Sequence, residues 1–317
     1  MKPLKMEDLS PEEQGDLVQY WQTHPAEWIE YFLGATPWGK QREIANAVVA
    51  GDRITVASAH DLGKSFISAA LVLWYLFSFP QAKVISTSVN FQSVKNILWQ
   101  EIAVLHRKLS EKLTDAGELF QTELRVGPGW WARGLSSDKP EGFTGYHEEH
   151  LMVVVDEACG IQYEVFDVLS TCAAARGNKM LLIGNPTDPN TFFGHTHTGR
   201  VPDWTRISMS AYESPNIVLG PDGQYQDIEP LPYPKLVSMR WINEKKHQWG
   251  KSDPRFISRV LGRFPESAED QLISNRYVSQ AIARGVALRE VYKQMETGQA
   301  VISSEQLRQI VRDRKVA

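Results

Sequence analysis

One short segment of the chain has the residue types and the spacing of a phosphate-binding loop. Its sequence is Ser58-Ala59-His60-Asp61-Leu62-Gly63-Lys64-Ser65. The spacing matches such a loop except that Ser58 replaces the first glycine. Backbone amides in loops of this kind, together with the N-terminus of the following helix, bind anions. We therefore expect residues 58–65 to bind the phosphates of ATP, with Lys64 at the β and γ phosphates and the Ser65 hydroxyl on Mg²⁺.

Two adjacent carboxylates, Asp156 and Glu157, follow an apolar run at Leu151–Val155. Five apolar residues in succession predict a strand buried on both faces, and open α/β sheets bind ligands at the carboxyl ends of their strands. We expect Asp156 to hold Mg²⁺ through water, and Glu157 to orient and polarise the water that attacks the terminal phosphate. The alternative is that the two acids only begin a loop.

A third polar residue, Asn185, follows an apolar run at residues 180–183. This position places its amide near the γ phosphate, where it can sense hydrolysis. The alternative is a simple turn begun by Asn185 and Pro186.

A strand and helices separate the phosphate loop from the acidic pair along the chain. That order is typical of ATPases with an inserted strand rather than of kinases, so it favours hydrolysis over phosphate transfer to a small acceptor.

Alternating strands and helices are predicted to position these groups. The predicted strands are residues 53–57, 83–88, 151–155 and 180–183, and the predicted helices include residues 10–33, 64–78, 94–113, 164–175 and 235–249. Apolar strands that alternate with helices form a parallel sheet covered on both faces. The predicted fold class is therefore α/β, a RecA-like P-loop NTPase with an additional strand and a catalytic glutamate. Gly127-Pro128-Gly129 predicts a hairpin turn.

Composition restricts the class of protein further. The 317 residues are 42% hydrophobic and 23% charged, which is typical of a globular chain. Two cysteines provide neither a disulfide framework nor a four-cysteine zinc site, so a reducing, intracellular setting is expected. We expect no membrane contact, because no export signal is visible and the longest apolar run is shorter than the roughly 20 residues that cross a bilayer. The net charge of −4 excludes wrapping around nucleic acid along the whole chain, but a local DNA contact remains open.

Changes in composition predict four segments. A helical lead-in covers residues 1–52, the ATPase core covers residues 53–212, a lid or linker subdomain covers residues 213–275, and a polar, basic, helical tail covers residues 276–317. Repeated prolines and glycines between residues 213 and 235 mark the end of the core.

Four further phrases accompany the phosphate loop and the acidic strand. They are Pro37–Ile44, Gly142–His147, Gly184–Thr187 and Gly262–Pro265. In this order the motifs resemble the ATPase domain of the large terminase subunit, the DNA-packaging motor of tailed bacteriophages. The resemblance covers about residues 30–275. It implies that the first phrase recognises adenine, with Gln41 reading the base.

The chain departs from the terminase pattern in two places. Terminases usually continue into a ribonuclease-H-like nuclease, but no cluster of acids on apolar strands follows Ser274, so we expect no nuclease activity in this polypeptide. A truncated chain and one half of a split terminase both fit this observation. Terminases also usually carry an arginine in the phosphate loop or just before the acidic strand, yet residues 58–65 contain none and Thr144 precedes Gly145. Arg133 and Arg176 are the candidates for this arginine finger, which would act on the ATP of a neighbouring subunit.

The function that the resemblance implies is an ATP-driven motor that translocates double-stranded DNA into a viral procapsid as a homo-oligomeric ring. Its implied partners are DNA, a portal protein, a small terminase subunit and a nuclease domain supplied in trans, in the host cytoplasm at the procapsid portal. Two alternatives remain at this stage. One is a helicase-like ATPase that remodels nucleic acid, and the other is a nucleotide-dependent assembly scaffold with weak turnover. Stimulation of ATP hydrolysis by DNA would distinguish a motor from a scaffold.

Overall fold

The computed structural model describes residues 10–138, 140–143 and 148–266, together with seven positions between residues 281 and 293. The chain divides into two compact units, Met1–Glu269 and Asp270–Ala317. The first unit contains every element named below. Of the second unit, the structure describes only helical residues at positions 281–283, 285, 286, 289 and 293. Most of the predicted tail therefore lies outside the described residues, as do Thr144–His147. The four-segment division remains a prediction.

A single sheet of eight strands forms the centre of the first unit. The strands are β1 Arg53–Ser58, β2 Lys83–Thr87, β3 Glu118–Leu119, β4 Glu123–Gly127, β5 Trp130–Gly134, β6 Leu151–Val155, β7 Lys179–Gly184 and β8 Thr205–Met209. Their spatial order is β3-β4-β5-β2-β6-β7-β1-β8. The six strands from β5 to β8 in this order are parallel, whereas β3 and β4 add an antiparallel edge. A separate hairpin consists of β9 Ile217–Leu219 and β10 Tyr225–Asp227.

The sheet is covered on both faces, as the apolar runs predict. In β6, Met152 and Val154 belong to one hydrophobic cluster, whereas Leu151, Val153 and Val155 belong to another. Successive side chains on a strand point to opposite faces, so a strand buried on both sides must be apolar throughout. Strand β7 lies between β1 and β6. The inserted strand and the predicted α/β fold class are thus confirmed.

Ten α-helices in the described residues of the first unit surround the sheet or precede it. They are α1 Pro11–Thr23, α2 Pro25–Leu33, α3 Gly39–Ala50, α4 Lys64–Ser78, α5 Phe91–Ser93, α6 Trp99–Ser110, α7 Tyr163–Cys172, α8 Phe192–Thr198, α9 Met239–Trp249 and α10 Pro254–Arg259. A π-helical segment, Val94–Leu98, joins α5 to α6. No helix in the described part of the chain is both long enough and apolar enough to cross a membrane.

Helix α4 is the central helix of the core. Every side chain from Ile67 to Leu76 is buried, and the Trp74 indole donates a hydrogen bond of 2.7 Å to the Trp21 carbonyl. Full burial of one large apolar side chain contributes about 1.5–3 kcal/mol. The helix that follows the phosphate loop therefore has a strongly fixed position, and the loop at its N-terminus is fixed with it.

Several predicted boundaries differ from the structure. The helix predicted over residues 10–33 is two helices, because Pro25 restricts His24 to a non-helical conformation and begins α2. Strand β8 was not predicted, because its alternating burial at the open edge of the sheet gives no apolar run. The run of turns predicted after residue 213 contains the β9–β10 hairpin, and the helix predicted from residue 235 begins at Met239. The hairpin turn at residues 127–129 is confirmed between β4 and β5.

Candidate active site

The predicted site residues lie at the carboxyl edge of three neighbouring parallel strands. Ala57 of β1 is paired with Gly184 of β7, and Leu182 of β7 is paired with Val155 of β6. Parallel strands end at the same edge of a sheet, so this register aligns the residues that follow each strand. The phosphate loop, the acidic pair and Asn185 consequently meet at one edge, although they are far apart in sequence.

The phosphate loop leaves β1 and enters α4 through two residues with positive φ. Asp61 has a φ of 52°, and Gly63, which caps α4, has a φ of 79°. This left-handed conformation favours glycine, and a Cβ on Gly63 would also lie 2.5 Å from Nε2 of Gln41. Ser58, which replaces the usual first glycine, is the last residue of β1 and donates its hydroxyl to the Ala59 carbonyl at 2.9 Å. The serine therefore occupies regular strand conformation, which needs no glycine.

Lys64 and Asn185 meet across the loop. The Lys64 ammonium donates to the Ala59 carbonyl at 3.3 Å and lies 3.5 Å from Oδ1 of Asn185. Nδ2 of Asn185 donates to the Ser58 carbonyl at 2.7 Å. The side chain of Asn185 is 7% exposed, so both ends of its amide are used in a largely buried position. This arrangement makes Asn185 a direct contact of the loop that the sequence assigns to phosphate.

Asp156 and Glu157 form an acidic pair beside Lys64, in which Asp156 is buried and Glu157 is partly exposed. Asp156 is 2% exposed, and burial together with the neighbouring Glu157 charge raises its pKa to about 7, while Lys64 opposes this shift. Asp156 Oδ1 also accepts the Glu157 amide at 3.0 Å. Its carboxylate therefore lacks most of the solvation that an ionised group requires, which is the condition in which a bound cation is favourable.

Glu157 reaches its position through an uncommon backbone conformation. Its φ is 49° and its ψ is 43°, in the left-handed region that non-glycine residues rarely adopt. The chain there passes close to the end of β7, where a Cβ on Gly184 would lie 2.9 Å from the amide nitrogen of Ala158. Gly184 thus permits the close approach that places the catalytic candidate Glu157 beside Asn185.

A cavity of about 850 Å³ opens at this edge, within the usual size of a ligand pocket. Residues from the predicted site form part of its wall: Gln41, His60, Asp61, Leu62, Gly63, Lys64, Ser65, Glu157 and Asn185. Ser58, Ala59 and Asp156 are buried behind this wall. The cavity also contains Lys108 of α6 and Tyr233 and Lys235 of the segment before α9. Sequence reasoning did not identify these three residues, because nothing in their local sequence distinguishes them from surface positions.

Gln41 forms part of the cavity wall, but both ends of its amide are bonded to backbone groups. Its Oε1 accepts the Trp38 amide at 3.2 Å, its Nε2 donates to the Gly63 carbonyl at 3.2 Å, and its side chain is 4% exposed. The Trp38 indole donates to the Leu62 carbonyl at 3.3 Å. Both residues brace the phosphate loop in this structure, and reading of adenine by Gln41 remains a prediction.

The two arginine-finger candidates lie away from the cavity. Arg133 is on β5, forms an ion pair of 3.0 Å with Glu123, and stacks 4.2 Å above the Trp131 ring. Arg176 is exposed in the turn before β7, at the opposite edge of the sheet and roughly 15–20 Å from the carboxyl edge by strand length. Neither residue lines the cavity. Either could act as an arginine finger only on the ATP of a second subunit, and this role remains a prediction.

The residues present fit a magnesium ion held jointly with phosphate oxygens. No cluster of three His, Cys, Asp or Glu side chains capable of chelating a metal occurs among the described residues. A single buried carboxylate, Asp156, and the hydroxyl of Ser65 at the start of α4 are oxygen donors of the kind that a nucleotide-bound Mg²⁺ takes from a protein, and they would hold it.

The phosphate loop lies between β1 and α4, the acidic strand β6 lies two positions from β1 in the sheet, and β7, which is followed by Asn185, lies between them. This arrangement defines the P-loop NTPase fold with an inserted strand. Comparisons with known proteins refine this class. The chain is 27% identical over 283 residues to a probable terminase large subunit of Enterobacteria phage P7. The aligned region covers 83% of this chain and 53% of that protein. The chain thus spans about half the length of the curated relative it matches. No protein-family model matches the sequence.

Solved structures show the same fold. The large-terminase ATPase domain of Thermus phage P74-26 matches with a TM-score of 0.56 and 17% identity, over 76% of this chain and 98% of that domain. A point mutant of the same domain gives a TM-score of 0.55. The large terminase of a second thermophilic bacteriophage matches with a TM-score of 0.50 and 14% identity, over 72% of this chain and 53% of that one. The predicted resemblance to the ATPase domain of large terminase subunits is confirmed in sequence and in fold.

Proposed function

We propose that this chain is the ATP-hydrolysing part of a DNA-packaging motor, which translocates double-stranded DNA into a viral procapsid. One observation carries the proposal. A phosphate loop, an acidic pair whose first member is buried, and an asparagine converge on a cavity that is large enough for a nucleotide, in a fold shared with large-terminase ATPase domains. Sequence similarity to a probable terminase large subunit supports the same assignment.

Each residue of the site has a chemical task in ATP hydrolysis. The amides of residues 61–65 and the N-terminus of α4 bind the phosphate oxygens, whereas the His60 amide is already bonded to the Arg259 carbonyl. Lys64, whose ammonium now lies on the Ala59 carbonyl, moves to the β and γ phosphates and stabilises the negative charge there. Glu157 orients the attacking water and accepts its proton. Mg²⁺, held by Ser65 and Asp156, would neutralise phosphate charge when bound.

Asn185 connects the chemistry to the rest of the molecule. Its amide joins the Lys64 ammonium to the Ser58 carbonyl at the end of β1. When Lys64 moves to phosphate, Asn185 loses one of its two partners and becomes available to the γ phosphate. We infer that Asn185 senses the presence of that phosphate and transmits its loss to β1 and β7.

The wider assembly is proposed from the same resemblance. The chain would act as a ring of identical subunits, with Arg133 or Arg176 as an arginine finger between neighbours. A portal protein, a small terminase subunit and a nuclease domain supplied in trans would complete the packaging machine in the host cytoplasm, at the procapsid portal.

The test is ATP hydrolysis by the full chain, measured as phosphate release with and without duplex DNA. We expect DNA to stimulate hydrolysis, and we expect Glu157→Gln to lower the turnover number by about 10²–10⁴-fold while leaving nucleotide affinity largely unchanged. Glu164→Gln, at an exposed position on α7, is the matched control and should behave as wild type. Slow ATP hydrolysis at a rate that duplex DNA does not change would favour a nucleotide-dependent scaffold and would overturn the motor proposal.

A further inference from the structure

The segment from Lys235 to Arg263 has a charge opposite to that of the rest of the chain. It contains eight Lys and Arg but two Asp and Glu, a formal charge of +6, whereas the whole chain carries −4. All other residues together therefore carry −10. A polyanion that approaches this protein is therefore attracted to the segment that contains α9 and α10.

The exposed basic groups concentrate where α9 ends and α10 begins. We call residues 245–255 the basic corner. Lys245 of α9 lies 5.4 Å from the centre of the Trp249 ring, and Arg255 of α10 lies 5.4 Å from the same ring. Side chains of both helices thus converge on one tryptophan, and cation–π contact restricts their movement.

Two positive charges of the basic corner are not neutralised by neighbouring acids. Lys245 pairs with Glu244 at 3.1 Å, and Arg255 pairs with Asp253 at 2.9 Å. Lys246 and Lys251 are exposed and form no ion pair with any of the described residues. These two ammonium groups are therefore available to an external anion without the loss of an internal partner.

Both ends of the α9–α10 segment are attached to the phosphate loop. The amide of Val237, two residues before α9, donates to the Asp61 carbonyl at 3.0 Å. The carbonyl of Arg259, the last residue of α10, accepts the His60 amide at 2.9 Å. The basic corner thus projects from a segment whose two ends are held by consecutive residues of the loop, so a movement of that loop is transmitted to the corner.

We propose that the basic corner is a docking surface for the phosphate backbone of duplex DNA, and that the nucleotide state of the phosphate loop controls its affinity. Duplex DNA carries one negative charge per about 1.7 Å of helix axis, the charge density that suits exposed lysines on a protein that is otherwise acidic. Such contacts do not depend on base sequence. This inference rests on the proposed motor function and identifies where that motor holds its DNA.

The experiment uses the full chain with the double variant Lys246→Ala/Lys251→Ala. Binding to a fluorescein-labelled duplex of about 30 base pairs is measured by anisotropy between about 50 and 200 mM salt. Loss of two phosphate contacts should weaken binding at least about tenfold at about 100 mM salt and lower the slope of log affinity against log salt by about 1.8. Lys246→Arg/Lys251→Arg keeps both charges and should bind as wild type. Wild-type affinity should also change between ADP and a non-hydrolysable ATP analogue.

Arg107→Ala/Lys112→Ala is the matched control, because both residues are exposed basic positions at the end of α6 and beyond it. An equal loss of affinity in this control, or an unchanged salt slope in the corner variant, would overturn the proposal. A corner variant that binds DNA normally but changes the sedimentation coefficient of the free protein would assign the surface to a second copy of the chain instead. Failure of the motor function itself is separate, because it appears as wild-type hydrolysis that DNA does not stimulate.

Discussion

The two edges of the central sheet use the same residue types for different purposes. At the carboxyl edge, Lys64 and Asn185 contact each other and the loop beside the cavity. At the amino edge, Lys179 donates to the Gly51 carbonyl at 2.9 Å and to Asp52 at 3.0 Å, and Asn178 joins β6 to the chain before it. The amino-edge pair closes the fold, whereas the carboxyl-edge pair is placed where a ligand can replace its present partners.

This comparison teaches that burial alone does not identify a functional polar residue. Asn178 is fully buried and Asn185 is 7% exposed, so exposure would not separate them. The groups that surround each side chain distinguish the two asparagines. Asn178 is surrounded by backbone groups that it satisfies, and Asn185 lies on a cavity beside a lysine and a desolvated carboxylate.

The lysine pair should give the largest contrast between the edges. Lys64→Ala removes the positive charge that we propose stabilises the γ phosphate during hydrolysis, so we expect the turnover number to fall by about 10²–10³-fold. Lys179→Ala removes a half-buried ion pair and should leave the turnover number within about twofold, at a cost of about 1 kcal/mol of unfolding free energy. Phosphate-release rates and urea unfolding measure the two effects. If Lys179→Ala inactivates a folded enzyme, the division between the edges is wrong.

The asparagine pair should show the same division, with the larger loss of stability at the amino edge and the larger loss of turnover at the carboxyl edge. Asn178 Oδ1 accepts the Leu151 amide at 3.0 Å, and Nδ2 donates to the Glu148 carbonyl at 3.1 Å. Asn178→Ala leaves these groups without partners inside the protein, so we expect a loss of about 2–4 kcal/mol in unfolding free energy with little change in turnover. Asn185→Ala should mainly lower turnover. Unfolding curves and hydrolysis rates on both variants would contradict this view if they gave the same pattern.

A smaller effect concerns His197 of α8, beside Arg206 near the start of β8. Burial, aided by the Arg206 charge, lowers the pKa of His197 to about 4. The unfolded chain therefore binds a proton that the folded chain rejects, and stability falls as the pH drops from about 6.5 to 4. We expect this histidine to account for about 1–3 kcal/mol of that loss. His197→Phe keeps an aromatic ring beside Phe193 and Phe264 and removes the titrating group, so it should flatten this part of the stability profile measured by thermal unfolding.

The central strands and α4 could be predicted because burial on both faces of a sheet leaves a signal in the sequence. Leu151–Val155 and the apolar positions of α4 show that signal directly. Edge strand β8 shows none, because one of its sides is open to solvent and its residues alternate. Pro25 indicates the break between α1 and α2 at His24. Apolar residues at helical spacing on both sides of His24 nevertheless predict one continuous helix.

The sequence by itself determined the phosphate loop, the acidic pair and the position of Asn185 along the chain, because each of them follows an apolar run that predicts a buried strand. Only the tertiary structure decided that Lys108, Tyr233 and Lys235 share their cavity and that α9 and α10 are attached to the phosphate loop. Those contacts join segments distant along the chain. They arise from packing against the sheet, and packing partners are chosen by the whole fold rather than by neighbouring residues.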